Sequence, residues 1–460
     1  MRNSHAGRAK TVSKSDELEK KIRTGEFKVA IYGLGHIGAP LASVWLRAGA
    51  HVIGVDKSPK VLEDAKKGIT HIPEPGVNET YARGRREKRF HTYDDPVKAS
   101  QDSGFKIICV SVLITDSFSA DLGAVKQVAS AIGRGLKKGD VVSLNPSVPP
   151  GTSEDVVVPI LERESNLRVE QDFYMVYNPE RVYEGRAIQD IEDSYPGVVA
   201  GAGPKSLEIG ARLYSMVFKK GVIKVSNIRT AETEKLLEGV YRDVNIALAN
   251  EMAKFCEKVG VDFWEAREAA NSQPFCHFHK PGVGVGGACI PVYPQFVLQT
   301  AQIKNVECNI TRLGRSVNDS MPAYCVEQAM KLLRGAPANG GQPVVALLGL
   351  AFRGGVSDTR LSPTYKVIDE LRKRGVKEIR VHDPLVVNDP DLPQGVLLTS
   401  NLNQAVRGAD LVMLLADHRE YSALDGRRLG GAAVYDGRGA LDPARFAGEA
   451  GRFASIGRPS

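Results

Sequence analysis

Residues 28–56 read KVAIYGLGHIGAPLASVWLRAGAHVIGVD, and this stretch decides the fold. VAIY is a short apolar run of the strand type. Gly33-Leu34-Gly35-His36-Ile37-Gly38 follows at once and opens a helical pattern, and HVIGVD then makes a second strand that ends on Asp56. In such a unit the first glycine permits the tight turn, the second lets backbone approach a pyrophosphate, and the third lets helix pack close on strand. The helix N-terminus then faces phosphate charge. Asp56 stands where a carboxylate accepts hydrogen bonds from both ribose hydroxyls and repels a 2′-phosphate. The pattern implies a Rossmann-type dinucleotide site that takes NAD rather than NADP. A glycine turn that binds nothing is the plain alternative, and the Asp56 spacing weighs against it.

Working outward, apolar strand candidates recur at 106–112, 140–144 and 173–177, separated by helical stretches as in an open parallel sheet. Between 228 and 271 the apolar period becomes helical, which predicts one long helix and then a second. The Gly/Pro-rich PGVGVGGACIPVYP (281–294) interrupts this, and more helix runs through 296–334. GAPANGGQ (335–342) reads as a linker. PVVALLG then opens a second α/β section, continued by EIRVHDP, ADLVMLLAD and AAVYDGRG. The expected class is α/β, with two Rossmann-like doubly wound parallel sheets joined by a central helical region. The expected boundaries are a flexible basic lead-in at 1–27, a dinucleotide-binding domain at 28–215, a helical domain at 216–334 and a second Rossmann-like domain at 342–460.

At 460 residues, two or three cores are expected. A net charge of +7 with interspersed acids suits an anionic small molecule but is not the dense basic stripe of a nucleic-acid binder. Residues 1–27 carry no apolar segment of the secretory type, and no stretch approaches the roughly 20 apolar residues of a membrane helix. The six cysteines (109, 256, 276, 289, 308 and 325) show no CxxC spacing and no metal-ligand pattern, so they read as reduced thiols in a cytoplasmic protein.

Within 227–297 stand AETEKLLEGVYRDVNIALANEMAKF and PGVGVGGACIPVYP. On these segments the sequence resembles the UDP-glucose/GDP-mannose dehydrogenase family, and within it the UDP-N-acetylhexosamine 6-dehydrogenases. EPGV (74–77), SVPPGT (147–152), NPERVYEGRAI (178–188), GLAFRGGVSDTRLSP (349–363), VHDP (381–384), ADH (416–418) and DGR (436–438) support it in the family's order. The resemblance implies oxidation of a UDP-sugar at C6 to the acid in two NAD-dependent hydride steps, through a cysteine thiohemiacetal and thioester. Cys289 is then the nucleophile, Lys235 the stabiliser of oxyanion character, Glu180 the acid/base group and Ser147 the hydroxyl that positions water. Cofactor contacts fall to the fingerprint residues, Asp56, Val110 and Ser147. Substrate contacts fall to Glu180, Arg181, Glu184, Lys235, Arg242, Asn245, Phe278, Gly282, Gly286 and Arg360. A C-terminal half without GxGxxG fits a domain that holds UDP, and the central helix implies a homodimer or higher homo-oligomer.

Several positions depart from the family pattern. Its GGHCIPVDP is GGACIPVYP here, with Ala288 for His and Tyr293 for the aspartate beside the hydrolytic water. KLxEN ends in Gly239, EST is Asn145-Pro146-Ser147, FK is Phe352-Arg353, and the glutamate of DTRES is Leu361. Two other readings therefore stay open: a relative whose oxidation stops early or acts at another carbon, and a non-catalytic nucleotide-sugar-binding protein. Survival of Cys289, Lys235 and Glu180 argues against decay.

Overall fold

The computed structural model describes residues 14–115, 119–333, 342–429, 431–446 and 452–459, and the chain divides into two compact units, residues 1–235 and 236–460. The first unit holds β1 (Val29–Tyr32), β2 (Val52–Val55), β3 (Phe90–Tyr93), β4 (Phe105–Ile108), a hairpin of β5 (Leu113–Ile114) and β6 (Ala120–Asp121), then β7 (Val141–Leu144), β8 (Tyr174–Tyr177), β9 (Gly197–Gly201) and β10 (Val222–Lys224). Eight of these form one sheet in the order β10-β9-β8-β7-β4-β1-β2-β3. The pairs are parallel except β8 with β9. Register is direct: Val29 faces Val52 on one side and Phe105 on the other. Strands β1, β2, β4 and β7 are buried at every position, which is why they read as mainly apolar runs, interrupted by Lys106, which pairs with Asp140, and by Ser143.

The second unit carries β11 (Val344–Leu348), β12 (Glu378–His382), β13 (Leu397–Thr399), β14 (Leu411–Leu414), β15 (Ala433–Asp436) and β16 (Phe453–Ser455). They form an all-parallel sheet, β13-β12-β11-β14-β15-β16. Both sheets reverse strand order beside their first strand, and ligands of open α/β sheets bind at such a switch point, outside the carboxyl ends of the strands. The helical pattern of 228–271 resolves into helices Ile228–Val259 and Phe263–Asn271, followed by Tyr293–Ile303 and Asn309–Lys331. Helices from 236 onward share a unit with the second sheet: Ala249, Ala253, Phe263, Met321 and Cys325 join Val345, Leu347 and Met413 in one core.

One expectation is corrected. The lead-in at 1–27 is not flexible throughout: Lys14–Thr24 is an α-helix whose Ile22 is fully buried and whose Leu18 packs on the first core. Leu18 and Ile22 lie one turn apart on a single face, and that apolar pair is hidden in the composition by the charges around it. Residues 1–13, and the expected linker except Gln342, lie outside the described residues.

Candidate active site

The fingerprint loop leaves β1 with Gly33 at φ 99°, a left-handed conformation that glycine accepts without strain. A side chain on Gly38 would strike the carbonyl oxygen of Gly33, so helix and turn touch there. Around Gly35 the space is open, as approach of a pyrophosphate requires. The backbone of Val110, just beyond β4, flanks the Gly33 turn. Asp56, at the end of β2, accepts from Leu34 N at 2.8 Å and from Ser58 N at 2.9 Å, and it remains half-buried with its outer edge available. These residues fit NAD: a bare backbone cradle, a helix N-terminus and an anchored carboxylate for the ribose.

Beside the loop, Glu180 shares a small cleft with Ile37, Asn145, Asn178 and Arg181. Its Oε1 accepts from Val182 N. Asn145 turns inward: its Oδ1 accepts from Ser143 Oγ and Tyr214 Oη, and its Nδ2 donates to Asn178. Ser147 is buried, and its Oγ has no hydrogen-bond partner among the described residues. Such a hydroxyl costs about 1–3 kcal/mol unless something bound satisfies it. Arg181 lies over the Tyr195 ring, 3.7 Å from Glu234, and so is engaged within the fold. Glu184 faces His36 at 4.0 Å. The loop bearing Glu184 is fixed by buried Glu74, whose two oxygens accept from Gly185 N and Ala187 N. Burial pushes that carboxyl upward.

Lys235 is buried in the first unit, one turn beyond Glu232 on helix Ile228–Val259. Glu232 holds the SVPPGT turn, accepting from Gly151 N and Ser153 N. Desolvation dominates over these amides and pushes its pKa up to about 7.

In the second unit, Cys289 is exposed at the end of the glycine loop, and no disulfide ties it. Its carbonyl accepts from Val292 N and Tyr293 N, so the thiol precedes the N-terminus of helix Tyr293–Ile303, an end that favours negative charge. The loop sits on the GLAFRGGVSDTRLSP segment: Gly287 N donates to Arg360 O, and a side chain on Gly286 would strike Phe352 and Leu361 O. Arg360 itself pairs with Asp358, its Nε 2.9 Å from Oδ1.

A cavity of about 230 Å³ opens beside this loop, lined by Gly282, Gly284, Gly286 and Ile290 and by four cations, Arg242, Lys280, Arg353 and Arg438. Guanidinium and ammonium groups grouped in this way suit a diphosphate. Asp436 at the end of β15 sets the turn that presents Arg438, accepting from Arg438 N and Leu441 N. Gly282 N donates to Asn250, which is joined through Asn318 to the buried Asp243–Arg315 pair. The backbone of Phe278 is fixed by the Asn271 side chain, whose Oδ1 accepts from Phe278 N and whose Nδ2 donates to Phe278 O. Asn245 does not line this cavity, because its amide bonds back to Tyr241 O on its own helix. His279 and Lys280 lie inside the stretch from Phe278 to Gly282, which the family resemblance makes a nucleotide-sugar loop. Arg353 and Arg438 lie outside the expected site residues, and the Phe352-Arg353 pair and the DGR turn are their signals in the sequence.

The second unit also has a counterpart of Asp56. Asp383, at the end of β12, accepts from Leu350 N, Ala351 N, Leu385 N and Val386 N and faces His418, and it is fully buried. Here the ribose-site carboxylate has become an internal strut.

Three domain models of the UDP-glucose/GDP-mannose dehydrogenase family match the chain: the NAD binding domain at 27–218, the central domain at 229–320 and the UDP binding domain at 346–443. The chain is 33% identical to the UDP-N-acetyl-D-mannosamine dehydrogenase of Pyrococcus horikoshii, over 89% of its length and 95% of the relative's. It is 32% identical to the NDP-N-acetyl-D-galactosaminuronic acid dehydrogenase of Ralstonia nicotianae, over 91% and 97%. The solved UDP-D-ManNAc dehydrogenase of P. horikoshii superposes with a TM-score of 0.85 at 31% identity, covering 94% of this chain and 99% of that one. A UDP-glucose dehydrogenase of Pyrobaculum islandicum gives a TM-score of 0.84 at 26% identity, over 94% and 98%. With its cofactor fingerprint, glycine-loop cysteine and cationic cavity all on the matched segments, this chain belongs to the UDP-glucose/GDP-mannose dehydrogenase family and is an NAD-dependent nucleotide-sugar dehydrogenase.

Proposed function

We propose that the chain oxidises C6 of a UDP-N-acetylhexosamine to the uronic acid, with Cys289 as nucleophile. One observation carries this reading: the loop that exposes Cys289 also lines the cavity of Arg242, Lys280, Arg353 and Arg438. A nucleoside diphosphate held by those cations would lie beside the thiol. The N-acetylhexosamine is favoured because relatives similar over nearly the whole chain bear the names of N-acetyl-sugar dehydrogenases.

NAD, when bound, accepts the hydride at each oxidation. The Lys235 ammonium stabilises negative charge on the C6 oxygen as the alcohol loses its proton. Cys289 Sγ adds to the aldehyde carbon, and the thiohemiacetal, on losing the second hydride, becomes a thioester. Glu180 and Ser147 orient the water whose oxygen displaces Sγ, with Glu180 taking its proton. A panel of UDP- and GDP-sugars with NAD, followed by NADH absorbance and product mass, tests the reading. No NADH with any UDP-N-acetylhexosamine would overturn it.

The working form is proposed to be a homodimer. Tyr241, Leu248 and Phe255 recur every seventh residue on helix Ile228–Val259 and are 53%, 42% and 58% exposed, an apolar stripe suited to a second copy. Sedimentation should give a dimer, and Leu248→Lys a monomer. The division at 28–215, 216–334 and 342–460 is retained as a proposal about folding units. A cytoplasmic setting is proposed, a reading supported by six cysteines without a disulfide-type spacing. No described helix is long and apolar enough to cross a membrane.

A further inference from the structure

Arg353 and Arg438 reach the cationic cavity from two separate loops, and one carboxylate oxygen joins those loops. Asp417, shortly past the end of β14, accepts with its Oδ1 from Gly354 N at 3.1 Å and from Arg438 Nη2 at 3.3 Å. The loop bearing Arg353 lies flat on this corner. A side chain on Gly354 would strike the Asp417 carbonyl, and Gly355 N donates to Nδ1 of the buried His418 at 3.3 Å. The Arg438 guanidinium also lies against the glycine loop, where a side chain on Gly282 would come within 2.9 Å of Nη1. Burial opposes ionisation of Asp417, but Arg438, the Gly354 amide and Lys280 outweigh it and hold the carboxyl below its ordinary range. The group is therefore an anion near neutrality.

By charge alone, an acid in this place works against an anion site, because it repels bound phosphate and competes for Arg438. By geometry it does the reverse. An arginine that is free loses side-chain freedom when a ligand immobilises it, whereas one already fixed has little left to lose. The two effects have opposite signs, so binding measurements separate them.

We propose that Asp417 is a positioning residue: it clamps the Arg353 and Arg438 loops together and so pre-sets both guanidinium groups for a diphosphate. The proposal rests on the reading of this cavity as the diphosphate site of a UDP-sugar. It adds a residue that acts through Arg438 and the backbone of Gly354, without touching the ligand.

The test is calorimetric binding of UDP to the full chain, to Asp417→Ala, Asp417→Leu and Asp417→Asn, and to Asp417→Ala combined with Arg438→Ala. Alanine and leucine remove the acceptor, and leucine keeps the bulk. Each should weaken UDP by about tenfold, the scale of one arginine left for the ligand to immobilise. Asparagine keeps an oxygen for both donors and should stay within about threefold of the unaltered chain. With Arg438 already replaced, Asp417→Ala should cost clearly less, since a group that acts through another is not additive with it. In turnover, KM for the nucleotide sugar should rise with kcat little changed, the mark of binding lost equally from ground and transition states. Tighter UDP binding by any of the Asp417 variants would show that repulsion dominates, and it overturns the proposal. Unchanged affinity of the acceptor-less variants, or losses fully additive with Arg438→Ala, overturn it as well. Were Asp417→Ala not to fold, Asp417→Leu against Asp417→Asn decides by the same criteria. An unaltered chain that binds no UDP overturns the functional reading together with the proposal.

Discussion

Gly239 and Tyr293 occupy one volume: a side chain added to Gly239 would lie 2.5 Å from Cδ2 of the buried Tyr293 ring. Two departures from the family pattern, far apart in sequence, are thus a single exchange, in which a ring enters the notch left by a missing side chain. Gly239→Ala in a helix ordinarily gains about 1 kcal/mol. Here the overpacking should make it a net loss, with a clash cost of about 1–3 kcal/mol. Urea denaturation of both single variants and the Gly239→Ala, Tyr293→Ala pair should show strong non-additivity, since the smaller residue at 293 removes the clash. Additive effects would show that the two positions do not share space.

The ring bears on chemistry as well as packing. A phenol in place of a carboxylate removes a basic oxygen pair from a position one turn after Cys289. Loss of one positioned acid/base group costs about 10²–10⁴-fold in the step it serves. Thioester hydrolysis is therefore expected to be the slow step, unless Glu180 compensates. Rapid mixing with NAD and substrate should give a burst of NADH, slow turnover and sugar mass on Cys289. Fast acid production without burst or adduct would make Tyr293 a harmless replacement.

Cys289→Ser should abolish acid formation and leave NAD affinity unchanged. The cysteine loop lies in the second unit, and the fingerprint in the first. A hydroxyl in place of the thiol makes no thioester. Normal turnover to acid in the Ser variant would remove the covalent route.

NAD should be strongly preferred over NADP, because both Asp56 oxygens are anchored by backbone amides and the carboxylate cannot swing from a 2′-phosphate without breaking them. Asp56→Asn should cut the preference by about tenfold or more, the scale of one hydrogen bond to a charged group. Equal rates with both cofactors in the unaltered chain would refute the assignment.

Glu232 makes stability depend on pH in a stated direction. Its pKa is raised to about 7 in the fold, by burial above all, against about 4.3 in an unfolded chain. The folded state therefore favours the protonated form. The contribution is present in full below the unfolded value and is lost as pH rises through about 7, amounting to roughly 3–4 kcal/mol. Denaturant midpoints between pH 5 and 8, on the order of this window, should fall more steeply for the unaltered chain than for Glu232→Gln. Parallel slopes would show that the carboxylate titrates elsewhere.

The sequence by itself determined the dinucleotide turn, Asp56 at the end of the second strand, the buried strands and the long helix, because each is a local pattern with a fixed period or spacing. It also singles out Cys289 as the candidate nucleophile, the one cysteine of the six that lies in a glycine-rich loop. Tertiary structure decided what depends on residues distant in the chain. Lys280, Arg353 and Arg438 come from three separate segments to one cavity, and Arg360 pairs with Asp358. Asp383 and Asp56 end equivalent strands, yet the first is sealed under its loop and the second half-open. Ile22 is buried and Leu18 half-buried only because a core lies against their face of the helix. Sequence carries the periodicity of a face and the flexibility of a glycine. Which atom fills the space beside Gly239 is settled only when the chain has closed on itself, since packing is a relation between volumes that no single segment contains.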